Sequence, residues 1–129
     1  MEMHKLDFAN IVILRPDIAE IVVHDGIEIT QVMVDQYHDF LLRHLSAPFS
    51  LLINKLHSYT YDFSAQKTIA NLEQIKAIAV VVYNEVSKAS TDSLINFPRE
   101  KQWNIEMFSG REMALEWLIA EHDEVSALK

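Results

Sequence analysis

The 129-residue chain contains no cysteine. Disulfides, thiolate metal sites and cysteine nucleophiles are therefore excluded, and nothing points to an oxidising compartment. Glycine is almost as scarce: with only Gly26 and Gly110, no glycine-rich phosphate loop can be built. Basic residues are also in deficit, 11 Lys+Arg against 19 Asp+Glu, for a formal charge of −8. Nucleic-acid backbones are bound by Lys and Arg neutralising phosphates, so nucleic acid is not an expected partner. No apolar run approaches the roughly 20 residues that cross a bilayer, and no transmembrane segment is expected. The opening MEMHKLDF lacks the basic start and apolar block of a secretory signal. The cytoplasm is the expected location. What is present is 50% hydrophobic and 23% charged residues, the composition of a folded domain and not of a disordered chain. With no linker, repeat or low-complexity tract in view, residues 1–129 are expected to form a single domain.

Local patterning predicts the elements. Residues 5–14 (KLDFANIVIL) and 18–24 (IAEIVVH) are rich in β-branched side chains and flank Arg15-Pro16-Asp17, so they read as a hairpin, with Asp25-Gly26 ending its second strand. Over 30–45 the period changes: Met33, Tyr37, Phe40 and Leu41 recur at helical spacing, with Thr30 as N-cap. Ser46-Ala47-Pro48 stops that helix, and 49–55 (FSLLINK) reads as a buried strand. A polar-aromatic loop at 57–62 leads into a helix over 64–75 with Asp62 or Ser64 as cap. The most hydrophobic stretch, 77–83 (AIAVVVY), suits a central strand covered on both faces. A weaker helix over 85–97, a strand over 103–108 and a last helix opened by a Ser109–Glu112 capping box complete the order ββαβαβαβα. The fold class is α/β: a mixed, mostly parallel sheet of about five strands in which only the first hairpin breaks the parallel order. Leu51, Ile53, Ala79, Val80, Val81 and Val82 are its expected buried centre.

Side chains with chemistry are sparse. Asp35 and His38 share a helix face and His44 follows, but a transition-metal site needs three or four convergent ligands. No second such motif occurs, so no metal and no other cofactor is expected. No Ser stands in a nucleophile-elbow turn, and Glu112 and Glu116, four apart on a helix, read as a solvated face. No catalytic residue is assigned, and an enzyme is not expected. The segment His57-Ser58-Tyr59-Thr60-Tyr61-Asp62-Phe63-Ser64 is more informative. It joins a parallel strand to the next helix, the edge at which open α/β sheets commonly carry their sites. The segment either packs its aromatics on the core beside a helix cap, forms a partner-binding edge, presents a phosphorylatable helix start, or walls a small apolar pocket.

The order ββαβαβαβα, with Asp62-x-Ser64 at the start of the second helix, resembles the STAS domain, and more narrowly its SpoIIAA-like (STAS/SEC14-like) branch. The resemblance runs from Phe8 to Trp117 and is carried by the strands at 18–23 and 49–54, the Tyr61-Asp62-Phe63-Ser64 junction and the closing SGREMALEW of 109–117. It implies a non-enzymatic regulatory or interaction module. Anti-anti-sigma STAS domains carry a phosphorylated serine in Asp-Ser-Ser-Gly at this helix start. By position Ser64 stands on that serine and Asp62 on the motif aspartate, while Phe63 and Ala65 replace Ser and Gly.

Two functions follow as expectations. One is a STAS-type interaction module, using Ser58, Tyr59, Tyr61, Asp62, Phe63 and Ser64 as its surface and Ser64 as phosphoacceptor, with an unidentified protein partner. The other is a protein that binds a small apolar ligand or lipid through the aromatic loop 57–64. An outward, flat aromatic patch favours the first, and a concave apolar cavity beneath the loop favours the second. Self-association as a homodimer is also expected, because a hairpin at a sheet margin offers a free edge.

Overall fold

A computed structural model describes residues 2–98 and 103–124; residue 1, residues 99–102 and residues 125–129 of the expected domain lie outside that description. In chain order the elements are β1 (Glu2–Lys5), β2 (Ala9–Arg15), β3 (Ile18–Val23), β4 (Glu28–Ile29), α1 (Gln31–His44), β5 (Phe49–Asn54), β6 (Thr60–Tyr61), α2 (Phe63–Thr68), β7 (Ile75–Val81), α3 (Glu85–Ile95), β8 (Ile105–Phe108) and α4 (Arg111–Asp123). The architecture is α/β, with a six-stranded mixed sheet ordered β1-β2-β3-β5-β7-β8 and a separate two-stranded ribbon of β4 and β6. The first three strands form an antiparallel meander, and β3, β5, β7 and β8 run parallel.

The sheet therefore has one strand more than the five expected. The apolar run 5–14 is not continuous: it turns at Leu6-Asp7-Phe8, where the Leu6 N–H donates to the Ala9 carbonyl at 2.8 Å. Its first residue joins the preceding three as β1. The ribbon is a second addition, in which Glu28 and Ile29 pair with Thr60 and Tyr61. Gly26 makes the turn before it with φ 79°, a conformation that costs residues bearing a Cβ about 1 kcal/mol or more. The Gly26 N–H donates to the Ser58 carbonyl at 2.8 Å, which ties the 57–64 segment to this turn.

Two helices differ from expectation. The second, expected to reach residue 75, ends at Thr68, and β7 begins at Ile75 instead of 77. Ala70 takes up a left-handed conformation (φ 58°), its N–H donating to His38 Nε2 at 3.0 Å and its carbonyl accepting from Trp103 Nε1 at 3.2 Å. These tertiary contacts outweigh the helical preference of the local sequence. The capping box at the last helix does not form: the N-cap is Gly110, without a side-chain cap, and Ser109 lies one residue too early. Thr30 does cap α1, its hydroxyl accepting from the Met33 N–H at 3.4 Å.

Strand alternation divides the interior in two. Leu51, Ile78, Val80, Ile21 and Ile11 face α1, α2 and α3 in the larger core. Ile18, Leu52, Ala77, Ala79 and Val81 face α4 with Ala114 and Leu118. The expected centre is buried except for Ile53, which is half-buried at the margin of the larger core.

Candidate functional site

The 57–64 segment begins one residue beyond Leu56, just after β5, and its aromatics go in two directions. Tyr59 and Tyr61 turn inward, ring centroids 5.6 Å apart edge to face, against the core beneath α1. Phe63 turns outward and is 68% exposed, with its edge on Phe97 and Lys67 Nζ 5.3 Å from its centroid. Asp62 is the cap of α2, accepting from the Ala65 N–H at 2.8 Å. Ser64 is therefore not the cap; it occupies the second helical position and is exposed, while its carbonyl accepts from the Thr68 hydroxyl. Ser58 is exposed and held by its backbone, its N–H donating to Asp25 Oδ1 at 3.0 Å.

Beneath Tyr59 and Tyr61 lies an apolar cavity of about 50 Å³, bounded by strands β3, β5, β7 and β8 on one side and by α1 and the ribbon on the other. On the scale of roughly 10–15 Å³ per water, it holds the equivalent of three to five waters. Ile21, Ile53, Val80, Ile69 and Ile105 supply apolar wall, and Trp103 borders it. Into this wall projects Lys55, only 5% exposed. Its Nζ sits 5.2 Å from the Tyr59 ring centroid and 5.4 Å from that of Tyr61, within cation–π range. No hydrogen bond or ion pair reaches Lys55 Nζ from the described residues. Burial without a counterion brings its ammonium down to about 8. The same burial raises the phenols: Tyr61 is pushed up to about 12, and Tyr37 and Tyr59 rise well above the usual range. All three hydroxyls therefore stay protonated near neutral pH.

Lys55 was legible in principle. It follows Leu51 and Ile53 at the two-residue period, so strand parity places it on the same inward side. Its charge and its place at the end of FSLLINK instead suggest a solvated strand terminus.

The opposite side of the sheet carries polar chains. Ser50 Oγ lies 2.6 Å from His122 Nδ1, and His122 Nε2 lies 3.0 Å from Asp17 Oδ2. His122 thus bridges the Ser50 hydroxyl and the Asp17 carboxylate through its two ring nitrogens. Burial alone would push the Asp17 carboxyl up, but hydrogen bonds from Arg15 and His122 hold it below its ordinary value. The Ser–His–Asp order resembles a hydrolase triad, yet Ser50 is wholly buried between β5 and α4, where no substrate carbonyl could approach. It is a packing device. A second chain runs from the Tyr83 hydroxyl to Asn54 Oδ1 (2.8 Å), from Asn54 Nδ2 to Glu20 Oε2 (2.9 Å), and from Arg111 to both Glu20 oxygens (2.7 and 2.9 Å). Sequence motifs give no sign of either chain, because residues 72 and 91 apart are joined only by the fold.

Asp35, His38 and His44 are not brought together. Asp35 is exposed and accepts from Gln31, His38 is engaged with the Ala70 N–H, and His44 stacks on Phe40 at 4.1 Å. Among the described residues no three His, Cys, Asp or Glu side chains converge as metal ligands. No described helix is long and apolar enough to cross a membrane. No protein-family model, curated protein or solved structure matches the chain.

Proposed function

We propose that the protein binds a small apolar ligand in the cavity beneath residues 57–64 and does no chemistry on it. The observation that carries this reading is the inward turn of Tyr59 and Tyr61, which makes them cavity wall and leaves Phe63 as the outward aromatic of the segment. A concave, mostly apolar site with a few convergent polar groups is the usual form of a small-molecule pocket. The test is titration of the full chain with butan-1-ol, a neutral probe scaled to the cavity, followed by Trp103 emission in a Trp117→Phe background and by thermal unfolding. Binding raises the melting temperature in proportion to RT ln(1 + [L]/Kd). Ile105→Phe, which fills the cavity from the edge strand β8, abolishes both responses if the reading is right. No response in either protein overturns it.

The SpoIIAA-like STAS reading is the second proposal, drawn from the resemblance of the motifs and compatible with an antiparallel start followed by parallel βα units. In it the protein is a cytoplasmic interaction module whose partner meets the exposed Phe63 and Ser64, with phosphorylation of Ser64 as the switch. A partner retained by Ser64→Ala and lost by Ser64→Asp supports it, and identical recovery with both variants counts against it. A homodimer joined along the free edge of β1 belongs to the same proposal. Light scattering that gives a concentration-independent mass near 14.9 kDa overturns the dimer.

A further inference from the structure

Resting on the reading that the cavity holds a small apolar ligand, we propose that this ligand is a short-chain carboxylate whose acid group is met by Lys55 Nζ. Each of the cavity's unused polar groups has a hydrogen to donate, and the Lys55 ammonium can only donate. Lys55 is 5% exposed and has no acceptor among the described residues; ring faces of Tyr59 and Tyr61 are its nearest charge-stabilising neighbours. The Tyr37 hydroxyl, which borders the same space, also has no acceptor among the described residues. Tyr61 donates to Tyr59 only at 3.5 Å, the long limit of a hydrogen bond. Burial keeps these phenols protonated, so they remain donors. A site with one ammonium, free phenolic hydrogens and no carboxylate is complementary to an anion rich in acceptors, and charge-assisted bonds of this type are the strong ones.

The remainder of the wall sets the other half of the ligand. Ile21, Ile53, Val80 and Ile105 give a hydrocarbon chain contact without offering it a polar partner. Space for the equivalent of roughly three to five waters matches a chain of a few carbons. An aldehyde is the rival occupant, because a buried lysine that sheds its proton readily is also a nucleophile toward carbonyls. The aldehyde reading leaves the phenolic donors unexplained, since an imine expels the carbonyl oxygen as water.

The test compares butyrate with butan-1-ol on the full-length chain by calorimetry and ligand-observed NMR. On the wild type, butyrate is expected to bind about tenfold or more tightly than butan-1-ol. In Lys55→Met that preference disappears while butan-1-ol binding is kept; Lys55→Gln serves if the methionine variant does not fold. Equal binding of the two probes to the wild type overturns the carboxylate assignment and leaves the apolar-cavity reading standing, whatever the variants do. A preference that survives loss of the amine also overturns it. Butanal trapped on Lys55 by cyanoborohydride, with no preference for butyrate, reassigns the site to carbonyl compounds. If neither butyrate nor butan-1-ol binds the wild type, the underlying cavity reading has failed as well.

Discussion

Along β5, Leu51 and Ile53 look toward α1–α3 with Lys55 following them, whereas Ser50, Leu52 and Asn54 look toward α4. The six-residue strand and the Lys55 that follows it thus finish one side of the sheet with hydrocarbon and an unmatched ammonium, and the other with hydrogen-bonded polar chains. On the α4 side each buried polar group meets a partner of opposite character: Ser50 with His122, Asn54 with Glu20, and Glu20 with Arg111. On the α1–α3 side volume is left open, and the charge within it has only ring faces for company. Satisfied networks fix one arrangement of a core, while an unfilled space with free donors is set up to receive something. Both sides are packed core, and the contrast between them is that one closes with its polar groups paired while the larger leaves a cavity beside an unpaired ammonium.

The strongest way to break the α4 side is Val81→Asp, which places a carboxylate at a fully buried position of the small core. The cost of an unpaired buried charge is several kcal/mol, comparable with the whole stability of a domain this size, so the cooperative melt should vanish in calorimetry and circular dichroism. A melt retained near the wild-type temperature would mean that this side is not the closed one.

Arg111→Ala is the next largest. It strands Glu20, whose carboxyl burial would otherwise raise and whose bonds from Arg111 and Asn54 hold it below the ordinary value of 4.5. Because Arg111 is itself 41% exposed at its side chain, the loss falls short of that for a fully buried pair, at about 2 kcal/mol in urea unfolding. Restoring much of that loss with Glu20→Gln in the same chain would show that the stranded charge, not lost packing, is responsible.

Lys55 sharpens the comparison through pH. Its folded-state value of about 8 lies below the ordinary 10.5, so between those pH values the unfolded chain carries a proton that the folded chain has given up. Stability rises with pH wherever the unfolded state binds more protons. Wild type should therefore gain relative to Lys55→Met on going from pH 7 to pH 10, by roughly 1–3 kcal/mol for a shift of this size. A flat difference between the two proteins over that window would place Lys55 in contact with solvent. The smallest effect is at the helix start: Asp62→Ala removes the cap of α2 and costs about 1 kcal/mol, while Ser64→Ala, at an exposed position, stays within about 0.5 kcal/mol of wild type. Thermal melts of the pair at neutral pH check the order.

How much of this was readable beforehand follows the same division. The parallel βα units, the Thr30 cap and the buried run at the centre of β7 rest on local periodicity and capping, and the sequence carries those signals in full. The shortened α2 was not readable, because Ala70 is held in its left-handed turn by His38 and Trp103, each more than thirty residues away. The end of β1 was hidden inside an apolar run whose turn at Asp7 has no Gly or Pro to mark it. For the site, the aromatic loop was visible by composition. Its inward sense was not, since Tyr59 and Tyr61 are turned by the pairing of β6 with the two residues of β4, a contact between short segments with no strand pattern of their own.

That ribbon also sets a clock. Tyr59 and Tyr61 are kept over the cavity by a ladder in which Thr60 N–H donates to the Ile27 carbonyl and Asp62 N–H to the Ile29 carbonyl, at 3.0 and 2.9 Å. A ladder this short opens locally at a small fraction of the free energy needed to unfold the sheet beneath it. For the ligand proposed above, passage through this wall would be gated by fraying of the ribbon, and its residence time would follow the opening rate of two rungs and not the strength of the core. Amide exchange at Thr60 and Asp62 and the release rate of a bound probe should consequently slow together when the ribbon is stiffened, with the melting of the domain left nearly unchanged.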